Sequence, residues 1–300
     1  NEGDMWFNST SSTLKGYAVS VPSGTWGSGT NLNTGRNSLG SSKGGTQSAT
    51  IVFGGYPPAP SRLTVTELYN GSSWTELNDM NTGRSDMGSV GVTTAALGFG
   101  GGLNPSNPNL QVLNENFDGT SWTELADLNT ARRELASAGT STSALAIAGN
   151  ALPATANVES WDGSSWTEIA NVNTARADFN GAGTQNAAIA FGGNGPNAQT
   201  EVWNGSSWTE VSDLNTARGG MGAAGPTNTD VLIFGGTSSN VNTEAWNGST
   251  WTELADLGTG RALGAGSGTS SLALLAGGNP TNTATEEWTA DNAVVTVTTS

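Results

Sequence analysis

Six arginines and eleven glutamates recur along the chain at fixed distances, and their types and spacing are the first sign of chemistry. Arginine stands at Arg36, Arg84, Arg132, Arg176, Arg218 and Arg261. A glutamate precedes an aromatic residue by two positions at Glu67, Glu115, Glu159, Glu201, Glu244 and Glu286. A second follows a tryptophan by two at Glu76, Glu124, Glu168, Glu210 and Glu253. In extended backbone, two-residue spacing puts each carboxylate on the same face as its aromatic neighbour. A ring of such carboxylates could work as acid–base groups or hold a cation. A catalytic centre must be asymmetric, however, whereas this pattern is sixfold. Charge-assisted Arg–Glu hydrogen bonds, repeated in every structural unit, account for the same recurrence. No catalytic, cofactor-binding or metal-ligating residue is therefore assigned, and no enzymatic activity is expected.

Composition narrows the classes further. The 300 residues carry 10 basic and 25 acidic side chains, a net charge of −15, with no His and no Cys. Zinc sites of the usual kind, Ser-His-Asp or Cys-His pairs and disulfides are excluded. So strong an acidic balance argues against nucleic-acid backbones and anionic membranes as partners. No run of roughly 18 apolar residues occurs, so no membrane insertion is expected, and the first residues lack the basic start and apolar run of a signal peptide. Gly at 43 of 300 and a charged fraction of 12% do not suit a helix bundle. Eleven Trp do not suit low-complexity disorder.

The elements that must position these residues follow from an internal repeat. Asn70-Gly-Ser-Ser-Trp-Thr-Glu-Leu returns as Asp118-Gly-Thr-Ser-Trp, Asp162-Gly-Ser-Ser-Trp, Asn204-Gly-Ser-Ser-Trp and Asn247-Gly-Ser-Thr-Trp. The markers Trp26, Trp74, Trp122, Trp166, Trp208 and Trp251 are 48, 48, 44, 42 and 43 residues apart. Ten residues after each comes the arginine, mostly in Asn-Thr-Gly-Arg or Asn-Thr-Ala-Arg. A short apolar run ending in glycine follows, as in Phe53-Gly-Gly and Phe234-Gly-Gly, and an aromatic closes each unit: Tyr69, Phe117, Trp161, Trp203, Trp246 and Trp288. Each unit reads as four strands: a Gly/Ala-rich one, a short apolar one such as Asp230-Val-Leu-Ile-Phe, one ending at the aromatic, and one starting at the tryptophan. Asn-Gly and Asp-Gly accept positive φ cheaply and mark a hairpin between the last two. Four short antiparallel strands per 42–48 residues is the period of a β-propeller blade. Small residues suit first strands crowded at the axis, and Trp and Phe suit the wider gaps between blades. Sequons at Asn8, Asn70, Asn204 and Asn247 are read mainly as turn chemistry, because three coincide with the hairpin and two equivalent turns use Asp.

Apolar strands ending in Gly-Gly, a later aromatic, a Trp beyond it and a Thr-Ala-Arg opening resemble the kelch repeat over roughly residues 26–298. Aromatic and Trp stand five positions apart, slightly tighter than the kelch habit. The near-identical units resemble the kelch-like structural proteins of marine tailed bacteriophages, and residues 3–17 resemble a short hairpin module of phage tail-fibre and virion proteins. The resemblance implies a virion structural protein displayed on a tail, fibre or capsid. Its partners would be other virion proteins or a host-surface glycan or protein, with a homo-oligomer also open. A secreted or surface-displayed bacterial lectin-like adhesion module is the alternative. The copper chemistry of the galactose-oxidase relatives of kelch needs His and Cys, which this chain lacks, and no cofactor is expected.

The expected fold is all-β: a propeller of six kelch-like four-stranded blades over residues 31–300, with residues 1–30 as N-terminal hairpin and closing strands. Residues 284–298 read as a full third and fourth strand, with Ala293 where Trp would stand. The N-terminal strands either add to the sixth blade or, with Met5–Phe7, Leu14–Val19 and Thr25–Trp26, form most of a seventh. Between the closing Gly-Gly and the next recurring Glu, the second-to-third-strand loops span 55→67, 101→115, 193→201, 236→244 and 278→286. The extra length belongs to blades one and two, on the face that also carries the blade-to-blade connections. These loops hold the candidate partner-binding residues Tyr56, Pro57, Pro58, Arg62, Leu103, Asn104, Pro105, Asn107, Pro108 and Leu110, since insertions in repeat proteins gather where binding occurs.

Overall fold

Every Asn-Gly or Asp-Gly pair of the repeat closes a hairpin in the same way. Asn70 Oδ1 accepts from the backbone N–H of Ser72 and Ser73 at 3.0 and 2.9 Å, while Gly71 takes φ 90°. Asp118 Oδ1 accepts from Thr120 and Ser121 N–H, both at 2.8 Å. One acceptor oxygen is all the turn requires, so Asn and Asp exchange freely between blades.

The computed structural model describes residues 5–8, 13–17, 23–57, 61–103, 109–195, 197–238, 240–280, 283–291 and 294–297; for 5–8, 13–17 and 294–297 only the backbone is described. Three strands come first, β1 (Met5–Asn8), β2 (Thr13–Tyr17) and β3 (Gly24–Ser28). Blade one is β4 (Gly40–Ser41), β5 (Thr50–Phe53), β6 (Thr66–Tyr69) and β7 (Trp74–Leu77). Blade two is β8 (Gly88–Val92), β9 (Ala95–Phe99), β10 (Asn114–Phe117) and β11 (Trp122–Glu124). Blade three is β12 (Ala136–Thr140), β13 (Ser143–Asn150), β14 (Ala154–Trp161) and β15 (Trp166–Ile169). Blade four is β16 (Asn180–Thr184), β17 (Ala187–Phe191), β18 (Thr200–Trp203) and β19 (Trp208–Glu210). Blade five is β20 (Gly222–Thr227), β21 (Asp230–Phe234), β22 (Thr243–Trp246) and β23 (Trp251–Glu253). The last strands are β24 (Ala265–Gly268), β25 (Leu272–Ala276), β26 (Thr285–Ala290) and β27 (Val294–Val297).

Six four-stranded antiparallel sheets result, and the protein is a six-bladed β-propeller. Each inner strand lies against the next around the ring, β4, β8, β12, β16, β20, β24 and back to β4. Close approach there demands small residues. A Cβ on Gly266 would stand 2.3 Å from the Ala223 backbone oxygen of the neighbouring blade. Between blades the tryptophans fill the space, each of the five from Trp74 to Trp251 being about 6% exposed. Trp122 packs edge-on against Phe53 of the preceding blade at 4.7 Å, and Trp251 against Phe191 at 5.4 Å.

The ring closes through the N-terminal end. β3 is the outer strand of the sixth blade in the order β24-β25-β26-β3, with Trp26 opposite Trp288. Residues 294–297 are thus not the fourth strand of that blade, as the reading of 284–298 expects; β27 pairs with β2, and β1-β2-β27 form a separate three-stranded sheet. Nor do the N-terminal strands build a seventh blade. Trp26 explains the preference: its ring packs against Phe234 of blade five at 4.8 Å, the contact that a fourth-strand Trp makes elsewhere, and 294–297 contains no aromatic. Ala293 lies outside the described residues.

Candidate functional site

The recurring arginines and glutamates meet inside each blade. Arg36–Glu67, Arg84–Glu115, Arg132–Glu159, Arg176–Glu201, Arg218–Glu244 and Arg261–Glu286 are ion pairs of 2.6–3.0 Å with side chains 0–8% exposed. The same carboxylates accept backbone N–H groups of the incoming connection, such as Asn33 at 2.8 Å and Asn173 at 2.8 Å. The guanidinium of Arg84 also donates to the Gly98, Gly100 and Leu113 carbonyls. Burial pulls the Arg36 guanidinium down to about 10 against the attraction of Glu67. Each pair thus ties the connection to the third strand of its blade, and Arg84, Arg132, Arg176 and Arg261 reach a second-strand carbonyl as well.

The non-repeating residues collect elsewhere, on the face with the second-to-third-strand loops. Tyr56 pairs with Asn37 through backbone hydrogen bonds of 2.9 and 2.7 Å and carries the Arg62 guanidinium 4.3 Å above its ring. Arg62 reaches the Asp86 carboxylate of the next blade at 3.8 Å, and burial lowers its pKa. Pro57 is buried, while Leu103 and Leu110 are half-buried on either side of the long loop of blade two, where Gly102 bridges to Leu110. Pro58, Asn104, Pro105, Asn107 and Pro108 lie outside the described residues. Sequence reasoning missed the corresponding hairpin of blade three. β13 and β14 run eight residues each and project Leu152, 57% exposed and held at φ 62°, on the same face. The interval from Gly149 to Glu159, two residues longer than in blades four to six, is the signal that could have found it.

Around the channel mouth on this face runs a closed ring of six backbone hydrogen bonds. The N–H groups of Asp86, Glu134, Asp178, Gly220, Leu263 and Ser38 each donate to the carbonyl of the equivalent residue one blade earlier, at 2.7–3.0 Å. All six residues have φ between 53° and 60°. Left-handed backbone costs a non-glycine residue about 1 kcal/mol or more, and the ring of bonds offsets that strain. Three successive blades place carboxylates here. Asp86 accepts from Ser85 Oγ at 2.7 Å and Glu134 pairs with Arg133 at 3.2 Å. Asp178 has neither; burial, with Glu134 and Asp86 nearby, pushes it up to about 7.

The second feature that sequence reasoning missed is inside the channel. Blade one has an inner strand of only two residues, after which residues 42–49 loop inward. Lys43 crosses the axis to blades three and four, donating from Nζ to Asn180 Oδ1 at 2.6 Å, Gly181 O at 3.3 Å and Ser137 O at 3.5 Å. On one side of it is a space of about 90 Å³ below the acidic mouth, and on the other a cavity of about 250 Å³ opening among the first-to-second-strand turns. The signal was the Arg36-to-Phe53 interval of 17 residues, against 15 or 16 in the other blades.

No protein-family profile matches the chain, and no curated protein is detectably similar to it.

Proposed function

We propose that the blades are kelch-type repeats of a non-enzymatic bacteriophage virion protein, displayed on a tail, fibre or capsid. Its second-to-third-strand face contacts a virion neighbour or a host-surface glycan or protein. The observation that carries this reading is asymmetry. Apart from the short inner strand and inward loop of blade one, the repeat is nearly uniform where it builds the ring, and its other departures gather on one face, in Tyr56 and Arg62 of blade one, the long loop of blade two and the Leu152 hairpin of blade three. An exposed Leu152 and a half-buried Tyr56 beside the Arg62–Asp86 pair are what a protein partner or a sugar ring packs upon. The near-identity of the units supports the phage assignment, since it resembles kelch-like virion proteins in the residues that carry the repeat.

Trimming residues 56–64 and 102–113 to the eight-residue span of blades four to six tests the reading. Circular dichroism and melting should be unchanged, whereas incorporation into virions or adsorption to host cells should be lost. A folded, trimmed protein that assembles and adsorbs normally would overturn it.

A further inference from the structure

The larger cavity of the channel has a composition unlike the rest of this acidic protein. Its walls are the inner strands and turns of blades two to five, contributing Val92, Ala138, Ala182, Ala224 and Pro226. Among the described residues no acidic side chain lines it, and the one charged group is Lys43 at the inner end. The carboxylates nearest the axis, Asp86, Glu134 and Asp178, line the space on the other side of Lys43. An amine is therefore presented to an apolar cavity that is open to solvent past Val92, itself 41% exposed.

We propose that this cavity is a binding site for small apolar carbonyl compounds, aldehydes above all, which Lys43 holds as an imine. Three observations converge on that ligand class. The volume of about 250 Å³ is near the lower end of small-molecule sites, ~300–1,000 Å³, so the ligand is of the size of a substituted benzaldehyde. The walls are mainly apolar, with the hydroxyl residues Ser137, Thr140, Ser141 and Thr184 among them, and among the described residues no second cation or acid is present to compensate a charged body. The amine is chemically ready: desolvation lowers the Lys43 ammonium to about 7, so at mildly alkaline pH the neutral nucleophile predominates.

The step balances without a redox partner. The Nζ lone pair attacks the carbonyl carbon as the π pair moves to oxygen, and proton transfer through water gives a neutral carbinolamine. Loss of that hydroxyl as water forms the C=N bond, and the two hydrogens that leave are those of the amine. Asn180 is not orphaned when Lys43 reacts, because its Oδ1 also accepts the Gly181 N–H at 2.8 Å.

Lys15 is the only other lysine of the chain and serves as an internal control. The folded protein is incubated at pH 8 with cinnamaldehyde and sodium cyanoborohydride, and the alkylated sites are mapped by peptide mass spectrometry. Lys43 should be labelled at least ten times faster than Lys15, with saturation in aldehyde, and excess cinnamyl alcohol should protect it. Lowering the pH to 5.5 should slow labelling of Lys43 in proportion to loss of the free amine. Lys43→Met, checked for folding by circular dichroism, should lose the fast adduct. Labelling of Lys43 no faster than Lys15, or fast labelling that the alcohol does not slow, would overturn the proposal and leave Lys43 as a strut between blades.

Discussion

Arg176 and Glu201 illustrate what a single residue contributes to a blade. The guanidinium bonds the carboxylate at 3.0 Å and the Gln199 carbonyl at 2.8 Å, with both side chains 2% exposed or less. Removing one partner leaves the other charged in a poorly solvated place, which costs about 3–5 kcal/mol, whereas replacing both with apolar side chains of similar size is often neutral. Arg176→Ala should therefore lose stability on that order by chemical denaturation, and Arg176→Met with Glu201→Leu should recover only part of it, because the Asn173 N–H and the Gln199 carbonyl lose these partners. A smaller correction is available one blade earlier. Trp122, Trp251 and Trp26 each donate their ring N–H to a threonine of the preceding blade, Thr66, Thr200 and Thr243, at 2.9–3.2 Å. Asn114 takes the threonine's place opposite Trp166, and both Asn114 Oδ1 and Trp166 Nε1 are buried without a partner. Asn114→Thr should restore the bond and raise stability by about 1 kcal/mol. A lower melting temperature would show that the hydroxyl fails to reach the indole.

Among the elements, β3 has the largest consequence per residue. It supplies five residues to blade six, and through Trp26 it fills the gap toward Phe234 and bonds Thr243 across the blade boundary at 2.9 Å. Pairing the start of the chain with its end closes the ring, so opening requires the whole strand to leave. Without it, β26 would be an exposed edge beside an unfilled hydrophobic gap. Trp26→Ala should lower stability by about 3–5 kcal/mol, the usual cost of truncating a buried Trp, reduced by the partial exposure of this one. Hydrogen exchange should then rise first in β3 and β26. Exchange rising uniformly in all blades would instead mean that closure is shared around the ring.

The whole molecule responds to pH through two groups that only the closed ring buries. Asp178 titrates at about 7 when folded and near 3.9 in an unfolded chain. The native state thus keeps a proton that the unfolded state releases. Its contribution is full below pH ~4 and is lost as the pH rises to about 7. Lys43 runs the other way: its folded value is about 7 against 10.5, so its contribution grows between those limits. The pair produces a minimum of stability near neutrality. Asp178→Asn should accordingly raise the melting temperature at pH 8 by more than at pH 4. An equal change at both pH values would show that Asp178 is ionised and solvated in the fold.

Local chemistry repeated six times was legible in the amino-acid order. Asn-Gly turns, alternation within short strands, the Trp markers and the Arg–Glu spacing each act over a few residues, so they specify blades and blade number without reference to anything distant. The separation of 31 residues between Arg36 and Glu67 could be read as a pair only because it recurred. What the order of residues left undecided depends on contacts between units. Two segments could have served as the outer strand of blade six, and the choice of β3 over β27 rests on which one fills the gap beside Phe234. Lys43 and the carboxylates of Asp86, Glu134 and Asp178 look like scattered surface charges along the chain. Closing the ring turns six inner strands toward one axis, where distant residues become neighbours, and that enclosure shifts Lys43 and Asp178 from their ordinary protonation.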